Sequence, residues 1–210
     1  MSPNPAVEVL KTEVLSDNWY VLRKVTFRLQ KRDGSWEIQS REAYDRGNGA
    51  TILPYNLARR TVILTRQFRL PTFVNGNESG MLIETCAGLL GEDHPAECIT
   101  RELREETGFE IQNVQKVMEA YMSPGSVTEI VYFFVCEYTA AQKVSPGGGV
   151  TGEEDIEVME LTIDAATAKI DSGEIRDGKT IMLLQYAALN IFGPTVSSNV
   201  TGSANGRRYT

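Results

Sequence analysis

The sequence holds one histidine, His94, and three cysteines, Cys86, Cys98 and Cys136. A lone imidazole without partners is not expected to serve as a catalytic base and is read as a helix-start residue. An odd number of thiols without paired spacing gives no disulfide framework, so the cysteines are expected to be reduced, buried and cytoplasmic. No apolar run approaches the ~20 residues of a membrane helix. Met1 to Leu10 show no basic patch followed by an apolar stretch, so no secretory signal is expected. Without one, the sequons at Asn77-Glu-Ser79 and Asn199-Val-Thr201 are chance matches. Basic excess is missing too. Lys and Arg number 21 against 28 Asp and Glu, a net charge of −7. Such a chain does not offer the phosphate-neutralising surface of a nucleic-acid binder. It suits a small anionic ligand if a metal ion and a few arginines handle the negative charge locally. There is no internal repeat.

The 210 residues suffice for one domain with a sizeable core and a small appended unit. Trp19 to Leu29 and Trp36 to Tyr44 flank a Lys31-Arg-Asp-Gly34 turn and form a hairpin candidate. A second hairpin is expected from Ala50 to Pro54 and Thr61 to Phe68, around a turn at Tyr55 to Arg60. Pro71 to Gly80 is a polar, Gly-rich loop. Met81 to Cys86, Ile111 to Ala120, Ile130 to Tyr138 and Ile156 to Leu161 read as strands, and Ala140 to Gly152 as a loop. Helices are expected over Pro95 to Thr107, Ala165 to Ser172 and Thr180 to Asn190. The Ser/Thr/Asn/Gly-rich tail is expected to be disordered. The fold class is α+β, a mixed-sheet sandwich with helices on its faces. The expected division is 1–46 for an N-terminal antiparallel β subdomain, 47–194 for the main domain and 195–210 for the tail.

The Pro95 to Thr107 helix carries the chemistry. Pro95 suits its first turn, Asp93 or His94 can cap it, and Gly108 stops it. Glu102, Glu105 and Glu106 stand three and four apart, so they share one face. Like charges so spaced repel by a few tenths of a kcal/mol per pair. Arg101 and Arg104 offset part of this. Ile99 and Leu103 form the stripe to be buried. A hard dication removes the repulsion, and Mg²⁺ in particular takes a few carboxylates plus waters and substrate phosphates. The bland alternative is a solvated acidic face.

The order of residues decides between them. Arg101-Glu-Leu-Arg-Glu-Glu-Thr-Gly-Phe109, with Gly88 upstream, resembles the signature of the Nudix hydrolases. The segment between is one residue short of the family pattern. Its glutamate position falls on His94 counted from Gly88 and on Asp93 counted from Arg101. In the family that glutamate braces the arginine, a task left here to Asp93 or Glu92. The resemblance implies a Nudix-type α/β/α sandwich. It also implies metal held by the main-chain carbonyl of Ala87 with Glu102 and Glu106, Glu105 helping through water or a second ion.

The resemblance runs from about Leu15 to Asn190. Arg66-Gln-Phe-Arg69, Glu84-Thr-Cys-Ala-Gly88 and Ser123-Pro-Gly-Ser-Val-Thr-Glu129 are similar to the ADP-ribose and nucleoside-diphosphate-sugar pyrophosphatases. Asp45-Arg-Gly-Asn-Gly-Ala50, Asn75-Gly-Asn-Glu-Ser-Gly80, Gly147-Gly-Gly-Val150 with Glu153-Glu-Asp-Ile-Glu157, and Gly173 to Thr180 look closer to the GDP-mannose pyrophosphatase branch. That branch implies a Mg²⁺-dependent enzyme, with Mn²⁺ a possible substitute, that cleaves GDP-mannose to GMP and mannose 1-phosphate. ADP-ribose hydrolysis is the nearest alternative, and a non-catalytic nucleotide-sugar sensor is the alternative from another class.

Arg69 is placed to make charge-assisted bonds to the diphosphate. Glu129 is presented by a Ser-Pro-Gly turn, and Lys179 can reach a phosphate or the sugar. By resemblance, Gly88 and Leu89 lie against substrate, while Trp19, Arg41 and Glu42 contact the nucleotide, across the interface of a homodimer. Trp19 suits stacking on guanine or an interface equally. Glu154, with Glu153 as competitor, is the expected metal ligand and base that orients the attacking water. No nucleic-acid or membrane partner is expected.

Overall fold

A computed structural model of the chain describes residues 6–150 and 155–193. The expectations for the tail at 195–210, and for Glu153 and Glu154, lie outside the described residues. Among the described residues no helix is long and apolar enough to cross a membrane.

Two sheets are present. The first is antiparallel, in the order β1 (Val7–Asp17), β2 (Val21–Gln30), β3 (Trp36–Asp45). The β2–β3 hairpin matches expectation. β1 was not foreseen. Register shifts between Val9 and Lys11 and between Val14 and Ser16 interrupt its alternation, so no regular period of two marks it. The second sheet runs β10 (Glu157–Thr162), β5 (Thr61–Phe68), β4 (Gly49–Asn56), β9 (Ile130–Glu137), β8 (Gln115–Tyr121). It is mixed, because β4 and β9 pair in parallel.

The second hairpin is shorter than expected. β4 and β5 pair only at Tyr55–Val62 and Asn56–Thr61. Beyond that they diverge, and β6 (Met81–Glu84) joins β5 while β7 (Cys86–Leu89) joins β4. Thr85 sits at the fork. Its N–H donates to Thr180 Oγ1 at 2.7 Å, and its hydroxyl lies 2.7 Å from that of Thr51. The first of these bonds satisfies a buried backbone N–H that no strand neighbour takes.

Consecutive core residues point to opposite faces of this sheet. Leu53, Val62, Leu64, Phe133 and Val135 face a core closed by α3 (Ile163–Asp171) and α4 (Gly178–Asn190). Ile52, Ile63 and Phe134 face the other side, closed by Ile99 and Leu103 of α2 (Pro95–Thr107). The result is the expected helix–sheet–helix sandwich. Burial on both faces explains why β4 and β5 read as nearly unbroken apolar runs.

The 70–80 segment is not all loop, since α1 (Leu70–Val74) makes one helical turn within it. Ile111 to Val114 is not strand. Ile111 and Phe109 instead fill the core below α2. A single 3-10 turn at Ala140–Gln142 opens the expected 140–152 loop.

The N-terminal sheet is tied to the sandwich at one end. Tyr44 N–H donates to Ser126 carbonyl at 2.8 Å, and Thr128 N–H to Tyr44 carbonyl at 3.1 Å. Arg23 donates to Asp45 at 2.7 Å, and the Thr128 hydroxyl to Asp45 at 3.2 Å. The Arg23 bond, the Gly47 N–H and Thr128 together hold the Asp45 carboxyl below its usual range.

Candidate active site

α2 begins and ends where its residues dictate. His94 is the cap, its Nδ1 accepting from Ala96 N–H at 3.4 Å, and Pro95 follows in the first turn. Gly108 closes the helix at φ 76. Cys98, Ile99 and Leu103 face the core, which turns Glu102 and Glu106 toward the β7 strand.

Glu102 lies directly on Gly88. A Cβ at Gly88 would come within 2.7 Å of Glu102 Oε1 and nearer still to its Cγ and Cδ. Only a glycine permits this approach of strand to carboxylate. Glu106, 3% exposed, lies beside Cys86. β7 pairing with β4 places Ala87 opposite Thr51 and Gly88 opposite Ala50. Glu129, at the end of the 123–129 turn, completes the group. A Cβ at Gly49 would be 3.2 Å from Glu129 Oε1 and 3.3 Å from the Gly88 carbonyl. The structure thus brings Ala87, Gly88, Glu102, Glu106 and Glu129 together, and Leu89 follows directly on β7.

The one-residue shortfall upstream of the helix is absorbed at Asp93. Arg101 donates to Asp93 Oδ2 at 2.5 Å and to Glu102 Oε1 at 3.1 Å. These two carboxylates raise the Arg101 pKa, and the guanidinium in turn fixes Glu102 from the side. Of the alternatives Asp93 and Glu92, Asp93 is the brace.

Glu105 stands apart. It is exposed and lines an 850 Å³ depression on the outer side of α2, with Arg104, Glu110, Val144 and Gly149. Its backbone is engaged, because Gly149 N–H donates to the Glu105 carbonyl at 3.1 Å and Gly148 N–H to that of Glu106 at 2.8 Å. Gly147 makes this docking possible. At φ 76, a Cβ there would be 2.5 Å from the Glu106 carbonyl oxygen. The glycine run is therefore the contact that seats the 147–149 backbone on the end of the acidic helix.

Arg69 and Lys179 come together on a third residue. Glu84, at the end of β6, accepts from Arg69 Nε at 2.6 Å and from Lys179 Nζ at 2.5 Å. Lys179 also lies 3.0 Å from Asp177, the N-cap of α4. The Glu84-Thr-Cys-Ala-Gly88 motif contains Glu84 but implies no task for it. Its partners are distant in sequence, so no local pattern announces the cluster.

Trp19, Arg41 and Glu42 sit on the N-terminal sheet. Trp19 is 83% exposed and meets Tyr20 edge to face at 6.2 Å. Tyr20 meets Tyr44 at 5.8 Å and lies under the Arg46 guanidinium at 5.6 Å. Arg46 Nε lies 3.6 Å from Glu129 Oε1. A chain of contacts therefore joins Trp19 to Glu129. Arg41 and Glu42 line a 740 Å³ groove with Tyr121, Pro124 and Thr128, beside the turn that ends at Glu129. Arg46 was missed as a site residue, although it falls inside the Asp45 to Ala50 motif. Asn48 was missed too. Its side chain accepts from Ile130 N–H and its carbonyl from Leu90 N–H, both at 3.0 Å, tying the turn to β7.

The thiols take no part in nucleophilic chemistry. Burial, then the neighbouring Glu106, pushes Cys86 well above the usual range. Burial lifts Cys98 to about 11 and Cys136 to about 12. All three remain protonated at neutral pH.

Oxygen donors dominate the Gly88 corner, and they are carboxylates and a carbonyl. Among the described residues no three Asp, Glu, His or Cys side chains are grouped so that they could hold a metal ion by themselves. A hard dication that keeps waters and shares ligands with a phosphate fits such a set. A thiolate or imidazole metal does not, because His94 is a helix cap and, among the described residues, no cysteine is grouped with other ligands that could hold a metal ion.

Residues 6–44 match a family model described as the GDP-mannose pyrophosphatase NudK N-terminal domain, and residues 45–184 match the NUDIX domain. A GDP-mannose pyrophosphatase of Citrobacter koseri is 56% identical over 180 residues, covering 86% of this chain and 94% of that protein. One from Escherichia coli O1:K1 / APEC is 53% identical over 184 residues, covering 88% and 96%. Among solved structures, an ADP compounds hydrolase superposes with TM-score 0.64 over 88% of this chain and 92% of its own. At 15% identity, that is a likeness of fold.

Proposed function

Because the chain belongs to the Nudix hydrolase family, we propose that it hydrolyses the diphosphate bond of GDP-mannose, giving GMP and mannose 1-phosphate. The observation that carries this is Glu102 packed on Gly88, with buried Glu106 beside it and a family match that spans the site. The names of relatives more than half identical support the substrate.

The Ala87 carbonyl, Glu102 and Glu106 would hold Mg²⁺, or Mn²⁺ in its place, with Glu105 as an outer helper. Such an ion, when bound, would supply charge neutralisation at the diphosphate and activation of water at neutral pH. The chain's own groups do the rest. Arg101, braced by Asp93, keeps Glu102 in place. Arg69 and Lys179 meet the diphosphate with charge-assisted bonds. Gly88 and Leu89 give the substrate a backbone to lie against. Trp19, Arg41 and Glu42 serve the nucleotide end, and Glu129 orients the substrate beside Gly88. Glu154, or Glu153, is assigned the task of holding the attacking water and taking its proton. Both lie outside the described residues.

Residues 1–46 are proposed as a dimerisation unit of a homodimer, and 47–194 as the hydrolase domain. Support comes from the N-terminal sheet, where Val7, Val9 and Val14, paired with Leu29, Phe27 and Arg23 and so on one face, are each more than half exposed. Apolar side chains aligned on a sheet of this length call for a partner surface. The free thiols suit a reducing, cytoplasmic compartment.

The test is a side-by-side assay in Mg²⁺ with GDP-mannose, GDP-glucose and ADP-ribose. GDP-mannose is expected to give the highest kcat/KM. ADP-ribose winning by more than about tenfold, a difference of 1.4 kcal/mol, would move the chain to the other branch. Nucleotide-sugar binding without product would identify a sensor.

A further inference from the structure

Resting on the diphosphate-hydrolase function above, we infer that Glu84 is a positioning residue that presents Arg69 and Lys179 as one two-cation seat for the substrate's phosphates. The Glu84 side chain is 3% exposed. A buried carboxylate is costly unless paired and hydrogen-bonded, and here each oxygen has its own cation. Oε2 takes Arg69 Nε at 2.6 Å, and Oε1 takes Lys179 Nζ at 2.5 Å.

The way each cation is held leaves it usable. Glu84 occupies only the Nε of Arg69. Among the described residues no other acceptor is hydrogen-bonded to that side chain, which is 39% exposed. The two terminal amines, the edge that forks onto phosphate oxygens, stay open. Lys179 uses one donor on Glu84 and stands 3.0 Å from Asp177. An ammonium has three N–H groups, so one is left over.

The seat is also rigid. Asp177 accepts from Thr180 N–H at 3.0 Å and from its hydroxyl at 2.6 Å, and Thr180 Oγ1 accepts from Thr85 N–H at 2.7 Å. The neighbours of Glu84 and of Lys179 in the chain are thus locked to each other across the ion pair. From Glu84 the chain runs on to Ala87 and Gly88. About 10 Å of extended backbone separates the seat from the carbonyl of the acidic corner.

Charge makes the role testable by sign. Glu84 and Asp177 balance Arg69 and Lys179, so the cluster is formally neutral. If Glu84 only neutralised buried charge, its removal would free two cations and tighten anion binding. If it positions them, its removal loosens binding despite the added positive charge.

The experiment compares wild type with Glu84→Gln in the full chain. It measures kcat and KM for GDP-mannose, the Kd for inorganic pyrophosphate in Mg²⁺, and Tm. Glu84→Gln is expected to raise both KM and the pyrophosphate Kd about tenfold, with kcat reduced less than about threefold, the pattern of lost binding shared by ground and transition states. Added to Arg69→Ala, it should cost only about threefold more, because the Lys179 half of its effect remains and residues acting through one another are not additive. Glu84→Asp keeps the charge but is too short to span both cations. It should shift KM and Kd in the same direction, and it serves if Glu84→Gln does not fold. Tighter pyrophosphate binding, an unchanged KM, or full additivity with Arg69→Ala overturns the assignment. If wild type binds pyrophosphate but leaves GDP-mannose intact, the substrate is wrong, and the role of Glu84 is decided by the pyrophosphate Kd alone. If wild type does not bind pyrophosphate, the seat itself is refuted.

Discussion

Gly88→Ala perturbs the contact between strand β7 and the acidic helix with a single methyl. That methyl would lie 2.7 Å from Glu102 Oε1, with Cγ and Cδ closer, whereas ordinary contact begins at 3.4 Å. Glu102 must therefore retreat by at least about 0.7 Å, taking the smaller overlap. A displacement near 1 Å of a group that positions the reacting atoms costs on the order of a hundredfold. That corresponds to about 2.7 kcal/mol of transition-state stabilisation. The fold should tolerate the change, because Gly88 is not among the glycines with positive φ and has no backbone strain to add. The assay is GDP-mannose turnover at a series of Mg²⁺ concentrations, with a thermal melt alongside. Gly88→Ala is expected to lose about two orders of magnitude in kcat/KM and to need more Mg²⁺ for half its own maximal rate, at nearly unchanged Tm. Wild-type turnover with an unchanged Mg²⁺ requirement would refute the claim that Glu102 is held against Gly88 for metal binding.

Three further outcomes are expected. Leu103→Ala empties a fully buried site between α2 and the sheet and should cost about 2–5 kcal/mol in urea unfolding; a loss below about 1 kcal/mol would mean this face is not tightly packed. The three cysteines should resist a thiol reagent at mildly alkaline pH in the native protein and react together in denaturant, because burial raises their pKa values; rapid native labelling contradicts this. Asp45 has a lowered folded pKa, so its stabilisation is complete above its unfolded value and is lost as pH falls through the folded one. Protection of amides in the 7–45 sheet should therefore weaken below about pH 4, and less steeply in Asp45→Asn. The same acid profile in both proteins would show that the Arg23–Asp45 tie does not hold the sheet.

How far the sequence revealed this molecule depended on whether the signal was local. α2 was legible to its end residues, because Pro95, Gly108 and the Ile99–Leu103 stripe are all short-range marks. Glu102 and Glu106 were legible for the same reason, whereas Glu105, expected to share their face, turns to the outer side of the helix. The brace on Arg101 was not. A box one residue short leaves Asp93 and Glu92 equally available, and only the path of the 90–94 turn selects Asp93. β1 escaped because two bulges break its alternation. The fork at Thr85 escaped because its cause, the Thr180 hydroxyl, is far away in the chain. Arg69, Lys179 and Glu129 were found one at a time as separate candidates. What joins them, Glu84 for the cations and Arg46 for Glu129, is long-range pairing that no periodicity encodes.

The most direct test of the account is Glu106→Gln, which keeps the shape of a 3%-exposed side chain and removes its charge. GDP-mannose turnover should fall on the order of a thousandfold, the scale of several kcal/mol of metal-assisted stabilisation. Tm should be no lower than wild type, and excess chelator should abolish wild-type turnover. Near-normal turnover of GDP-mannose by Glu106→Gln would contradict the assignment of this helix as the metal-binding centre.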